Sequence, residues 1–368
     1  MQEKKVILAP NAFKGSLTAT DFCRIVAEEL QSAGYCPVCL PMCDGGDGTA
    51  GILACYRHAL PQTCLTVDAL GREHRATFYT DGNTALVDLA ACCGLKHLKP
   101  AEYDVMNANT AGLGKVLLEI VHQGITKIIL GVGGSASIDG GTGALEEMGM
   151  NIRKAPTPYR NHLIEIKEID TTNLKKNFKD TEILLLCDVT NPLCGKNGAA
   201  AVFGPQKGAT PSQTGLLENH LRNYATLLTP HARAIDPLTV EGGGAAGGIA
   251  AAFSSLLGAK LVSGADYCLQ ISGFGQWIHE AGFVITGEGK LDSQSLQGKL
   301  PGVIASRCNE AKIPVVAIAG CAELPLPGFQ NVYTLMQYAS SLEDSIRHPE
   351  PYLRRACYDL IREIPKIL

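Results

Sequence analysis

Short apolar runs alternate with stretches of helical spacing along most of the chain. The first run, residues 6–10, reads as a buried strand, and NAFKGS (11–16) as the turn after it. Phe22, Ile25, Val26 and Leu30 then recur at helical spacing, with Thr18 or Thr20 placed to cap the helix and Gly34 to end it. Residues 37–42 predict a second strand, CDGGDGT (43–49) a loop, and GILACYRHAL (51–60) a helix.

The pattern changes at 63–90. TCLTVDAL, RATFYT and TALVDLA are short segments separated by Gly-Arg and Asp-Gly-Asn, the signature of an antiparallel meander. A meander does not belong in a purely parallel sheet, so a domain boundary is expected near residue 62. Helix–strand alternation resumes at 112–124 and 127–134. Residues 152–180 are polar and expected to be peripheral. Residues 182–190 predict a buried strand running into an acidic loop, 200–209 a strand and turn, and 242–253 a helix whose glycines permit close packing. The tail predicts helices over 264–280, 301–311 and 351–363, and strands over 283–289, 314–320 and 331–336.

With residues 6–10 and 37–42, those last strands complete a set that suits a flavodoxin-like, doubly wound parallel sheet. The fold expected is α/β with two unlike α/β domains. Residues 1–62 and 260–368 form the flavodoxin-like domain, and residues 63–259 form a mixed-sheet domain that interrupts it.

Composition narrows the classes of function. Apolar residues make up 46% of the chain and charged residues 18%, which is globular, and no apolar run is long enough to span a bilayer. The N-terminal MQEKKVILAP has no apolar core followed by a small-residue cleavage site, so no signal peptide is read there. The net charge of −4 comes without a basic stripe, which disfavours nucleic acid as a partner. The fourteen cysteines are scattered, often inside apolar segments, as expected of reduced, buried thiols in the cytoplasm. Cys36 and Cys39 form a CxxC that sits in or beside a strand, without a second pair for zinc, and are read as packing residues.

Chemistry gathers in the loops after strands, where doubly wound sheets bind ligands. In the first, Lys14 and Ser16 precede a helix N-terminus that favours an anion. The second brackets Asp44 and Asp47 with glycines, a spacing suited to hydrated Mg²⁺, a general base or plain helix capping. The third, GVGGSASIDGGTG (131–143), offers Gly133, Gly134, Ser135 and Asp139 as a phosphate cradle. It matches neither the dinucleotide G-x-G-x-x-G nor the P-loop. The fourth carries Asp188, a candidate base or metal ligand or else an Asx-turn residue, together with Asn191. The fifth brings Glu288, Lys290, Asp292 and Ser293 close together. The nine histidines are dispersed and supply no triad or metal pair. Phosphoryl transfer fits these loops best, because its demands are positioning, Mg²⁺ and cationic clamps.

The blocks VILAPNAFKGSLTA, PMCDGGDGTAG, GVGGSASIDGGTGALEEMG, CDVTNPLCG, VFGPQKGA, GGAAGG and VITGEGKLDSQSLQGK resemble, in order, the signature blocks of the bacterial glycerate kinase family, the class without a P-loop. Asp47 stands where that family often has Glu, and Ile138 where Asn is common. The resemblance implies ATP, Mg²⁺ and D-glycerate, with 2-phosphoglycerate favoured over 3-phosphoglycerate, and it leaves a homodimer open. It implies Lys14 at the substrate carboxylate and Asp188, ahead of Asp44, as the base. Phosphates would lie along the third or fifth loop, with Mg²⁺ on Asp47, Glu288 or Asp292. The alternatives are a non-catalytic binding protein derived from such a kinase, a kinase of another small hydroxy acid, and an NAD-dependent oxidoreductase. The last lacks its glycine fingerprint.

Overall fold

The computed structural model describes residues 5–233, 235–296 and 298–367. Residues 1–4 of the segment read for a leader, and Gln297 of the last block, lie outside that set. The chain opens with β1 (Lys5–Pro10), α1 (Ala19–Ser32) and β2 (Cys36–Cys39). It continues through α2 (Thr49–Arg57), β3 (Leu60–Val67), β4 (Glu73–Asp81), β5 (Thr84–Asp88), α3 (Leu89–Cys93), α4 (Ala111–His122), β6 (Lys127–Gly131) and α5 (Thr142–Glu147). Next come β7 (Asn151–Lys154), β8 (Ile166–Asp170), α6 (Thr172–Asn177), β9 (Glu182–Leu186), α7 (Ala199–Phe203), α8 (Pro211–Leu228), α9 (Ala245–Leu257) and β10 (Lys260–Val262). The tail holds α10 (Gly264–Ile271), α11 (Phe274–Trp277), β11 (Ala281–Gly287), β12 (Lys290–Leu291), α12 (Leu300–Glu310), β13 (Val315–Ala319), β14 (Cys321–Ala322), β15 (Asn331–Thr334), α13 (Leu342–Arg347) and α14 (Pro349–Ile367).

Two compact units result, one of residues 1–44 and 265–368, the other of residues 45–264. The division falls earlier than the sequence pattern suggested, because α2 packs on β4, β5 and β6 of the second unit.

In the first unit a five-stranded sheet runs β15-β13-β11-β1-β2, with every pairing parallel. Numbered along the chain, that is the flavodoxin order 2-1-3-4-5, and its switch point lies between β1 and β11. Alternation along the strands sends Val6, Leu8, Phe283, Ile285, Val316 and Ile318 to one face, under α1 and α14. Phe22, Ile25, Val26 and Leu30 of α1 are all fully buried there. Each contributes about 1.5–3 kcal/mol by leaving water. Thr18 caps the helix by accepting from the Asp21 N–H at 3.0 Å.

The second unit holds a mixed sheet, β10-β9-β6-β5-β4-β3. The meander β3-β4-β5 is antiparallel, and β5-β6-β9-β10 is parallel. Two segments depart from expectation. Residues 152–180 are not peripheral throughout, since Leu163, Ile164, Ile166, Leu174 and Phe178 anchor them in the core. The stretch 200–209 is α7 and a 3-10 turn at Pro205–Lys207, not a strand, because an alanine run favours helix.

Candidate active site

In the first unit, β1 and β11 end side by side, Pro10 against Gly287, and the Asn11 N–H continues the pairing to the Gly287 carbonyl at 2.8 Å. A Cβ on Gly287 would stand 1.9 Å from the Ile318 carbonyl oxygen, so only glycine fits. Both loops therefore leave from the switch point. Asn11, which is buried, donates through Nδ2 to Asp44 Oδ2 at 3.0 Å and accepts the Ala12 N–H on Oδ1 at 2.9 Å. The Met42 N–H donates to the Pro10 carbonyl at 2.9 Å, which draws the segment carrying Asp44 alongside β1.

From β11, Glu288 accepts the Ser295 hydroxyl at 2.8 Å, and Asp292 Oδ1 accepts the Ser295 N–H at 3.0 Å. Burial pushes the Glu288 carboxyl up, and the charge of Asp44 pushes the same way; the Ser295 hydroxyl, Lys299 and Lys14 oppose. Asp292 is lowered: its partial burial is outweighed by the Ser295 N–H, Lys299, the Ser295 hydroxyl and Lys290. One small volume thus holds Asp44, Glu288 and Asp292 within reach of the charges of Lys14 and Lys299.

Three expected members of this cluster are placed differently. Lys290 is exposed, 2.7 Å from Glu323 and 3.7 Å from Asp292, so its first partner is a surface carboxylate. Ser16 spends its hydroxyl proton on the Ile346 carbonyl, at 2.8 Å. Ser293 is exposed at the start of a 3-10 turn. Asn11, Ser295 and Lys299 were missed. The dense hydrogen bonding of short loops gave no signal for the first two, and Lys299 lay beyond the acidic run.

In the second unit the glycine-rich loop leaves β6 between β5 and β9. The Gly133 N–H donates to the Gly45 carbonyl at 2.9 Å, and a Cβ on Gly133 would lie 2.6 Å from Gly46 Cα. Gly134 has φ +75°, a conformation glycine adopts without strain. The backbone is thus bare here, as a phosphate cradle requires.

Asp139, a candidate for phosphate, is held as a structural pin. It is fully buried, and its oxygens accept from Thr110 N (2.9 Å), Thr110 Oγ1 (2.7 Å), Ser137 Oγ (2.9 Å), Gly141 N (3.3 Å) and Gly143 N (3.3 Å). Those donors occupy the acceptor sites a carboxylate has. Ser135 is likewise engaged: it accepts from Lys207 Nζ at 2.6 Å, and the same amine donates to the Ser137 carbonyl at 2.7 Å. Lys207 is buried, and burial pulls its amine down to about 7 against the charge of Asp139. In the sequence Lys207 is one residue of the block VFGPQKGA, with no local pattern that marks a role. Only the helical turn that aims it inward shows one.

Asp88, at the end of β5, was also missed. It accepts from Gly48 N (3.0 Å) and Ala50 N (2.9 Å), fixing the start of α2. Burial, reinforced by the charge of Asp47, drives its carboxyl up to about 7, against the Ala50 and Gly48 N–H groups and Lys96. Asp47 itself is half-exposed and ion-paired with Lys96 at 2.7 Å. It lies in the second unit, apart in the chain's division from Glu288 and Asp292. Among the described residues no three acidic, histidine or cysteine side chains form a ready-made metal cage. Asp188 Oδ1 accepts the Gly264 N–H at 2.8 Å, and Asn191 Nδ2 donates to the Asn197 carbonyl at 2.9 Å.

Each unit, taken by itself, is an α/β sheet whose polar loops leave from the strand ends, the place where enzymes of this class bind ligands. Comparison with known proteins makes this specific. The profile of the glycerate kinase family matches residues 6–365. Glycerate 2-kinase of Escherichia coli K12 is 33% identical over 93% of each chain, and glycerate kinase of Bacillus subtilis 168 is 32% identical over 98% of this chain and 97% of its own. A crystal structure from Salmonella typhimurium LT2, provisionally described as glycerate kinase 2, superposes with a TM-score of 0.81 at 31% identity, covering 99% of each chain. The chain belongs to the glycerate kinase family and is a kinase.

Proposed function

We propose that this enzyme transfers the γ-phosphoryl group of ATP to the 2-hydroxyl of D-glycerate, giving 2-phosphoglycerate. The carrying observation is the acid and lysine cluster at the β1–β11 switch point, in a chain of this family. Family membership supports the acceptor, and the name of the Escherichia coli relative supports the 2-position. Lys14 is assigned to the glycerate carboxylate, which an exposed amine at a strand end can reach. The bare backbone at Gly133 and Gly134 is assigned to phosphate oxygens.

Asp188 is assigned as the base that takes the proton of the attacking hydroxyl, with Asp44 second. The Gly264 N–H orients the Asp188 carboxylate, so little motion is spent aiming it. Asn11 orients Asp44 in the same way.

The donor set fits Mg²⁺ that arrives with the nucleotide. Mg²⁺ takes one or two carboxylates plus phosphate oxygens, not an all-protein cage. Glu288 and Asp44 repel each other electrostatically, a strain that a divalent cation relieves. Glu288 and Asp292 would hold it. Bound there, Mg²⁺ supplies charge neutralisation of the phosphates. Among the described residues no helix is long and apolar enough to cross a membrane. The free cysteines suit a reducing compartment, so a cytoplasmic location is proposed with the activity.

The test is an ADP-release assay with D-glycerate, ATP and Mg²⁺, followed by ³¹P NMR of the product. Glycerate-dependent turnover to 2-phosphoglycerate is expected. Turnover only with another hydroxy acid would replace the acceptor. Thermal protection by NAD and not by ATP–Mg²⁺ would replace the reaction class.

A further inference from the structure

Among the described residues β2 is an edge strand, paired only with β1, and its Cys39 is exposed. The parallel register sets Cys39 opposite Leu8. Helix α1 packs over the same strand, and its buried Cys23 donates its thiol to the Leu8 carbonyl at 3.8 Å. Helix and strand, 16 residues apart in the chain at these two positions, thus place both cysteines beside Leu8. Cys39 reaches Cys23 itself: its thiol donates to the Cys23 carbonyl at 3.7 Å. Cys36, the other cysteine of the CxxC, is not placed to pair with Cys39. Residues three apart on a strand point to opposite faces, so Cys36 is directed away from Cys39.

We propose that Cys39 and Cys23 form a peroxide-sensitive thiol pair, with exposed Cys39 as the residue attacked by oxidant and buried Cys23 as the thiol that resolves it. The Cys39 thiolate attacks one oxygen of hydrogen peroxide. The O–O bond breaks, a Cys39 sulfenic acid forms, and hydroxide leaves. The Cys23 sulfur then attacks the Cys39 sulfur, the S–O bond breaks, and the hydroxyl departs as water with the Cys23 proton. In total two thiols lose two electrons and one peroxide becomes two waters. Accessibility on one sulfur and a resolving cysteine poised next to it are the two features such pairs need, and Cys39 lies exposed against the backbone of Cys23. Burial raises the Cys23 thiol and its interaction with Cys39 raises it further, while that same interaction lowers the Cys39 thiol, so Cys39 is the readier of the two to meet the oxidant as a thiolate. The product ties α1 to β2, and α1 follows directly from the loop that carries Asn11 and Lys14.

Hydrogen peroxide treatment of the whole protein, with differential alkylation and non-reducing peptide mapping, tests the pair. Cys55, the other exposed thiol, is the internal control. A Cys23–Cys39 cross-linked peptide, forming at least several-fold faster than Cys55 is lost and reversed by dithiothreitol, is expected. In Cys23→Ser the resolving thiol is gone, so dimedone should trap the Cys39 sulfenic acid, several-fold more than in the wild type. Oxidation of Cys39 no faster than Cys55, or a Cys36–Cys39 peptide in place of the expected one, would overturn the proposal. The wild-type mapping stands by itself if the serine variant folds poorly.

Discussion

Asp139→Asn separates a structural pin from a phosphate ligand. Oδ2 of Asp139 accepts from Thr110 N, Thr110 Oγ1 and Gly143 N, and Oδ1 from Ser137 Oγ and Gly141 N. An asparagine would keep its carbonyl on the three-donor side. Its amide then faces Ser137, whose hydroxyl can turn to accept, and the Gly141 N–H, which cannot. One buried backbone donor is left without a partner, a cost of about 1–3 kcal/mol. The remaining bonds lose their charge assistance, and Lys207 loses a nearby opposite charge. Relief of the buried charge offsets part of this. Breaking one side of such a buried arrangement costs about 3–5 kcal/mol in total. For a unit of this size each kcal/mol moves Tm by about 2–4 °C, so a fall of roughly 6–20 °C is expected. Thermal unfolding by circular dichroism reads it, with turnover measured well below the transition. A variant that unfolds at the wild-type temperature yet has lost turnover would refute the pin and return Asp139 to the chemistry.

Asp188→Asn should lose most of kcat with its Tm nearly unchanged; near-normal turnover would remove Asp188 as the base. Lys207→Met probes the buried amine. The folded value is depressed to about 7 from an ordinary 10.5, so the unfolded chain binds the extra proton between those values and Lys207 makes stability rise with pH across that window. Urea titrations from pH 7 to 10 should show that rise in the wild type and a flatter profile in the methionine variant. Asp88 has the opposite sign. Its folded value is raised from 3.8 to about 7, the native state holds the extra proton, and stability falls as pH climbs from about 4 to 7. The contribution is on the order of 4 kcal/mol at most. Asp88→Asn should flatten that slope, and an unchanged slope would place the titration elsewhere.

Much of this protein was legible along the chain because it is a local matter. Apolar runs, helical spacing at Phe22, Ile25, Val26 and Leu30, and the meander after residue 60 depend on near neighbours and on which face is buried. The glycines of the strand-end loops were legible for the same reason, since a bare backbone and a positive φ are demands on single residues. Sequence alone also named Asp44, Asp188, Glu288 and Asp292 as acids at strand ends.

Tertiary structure decided what those groups touch. Asp139 and Asp188 look alike as acids after buried strands. Only the fold surrounds the first with five donors and gives the second an orienting N–H. A 3-10 turn carries Lys207 inward to Ser135. Asn11 meets Asp44, and Cys39 reaches the Cys23 carbonyl, because parallel strands and the helix packed on them bring distant segments together. Propensity and periodicity reach a few residues along the chain. Register, burial and the sharing of donors are properties of segments brought together, and these determine which polar groups are already satisfied and which remain for chemistry.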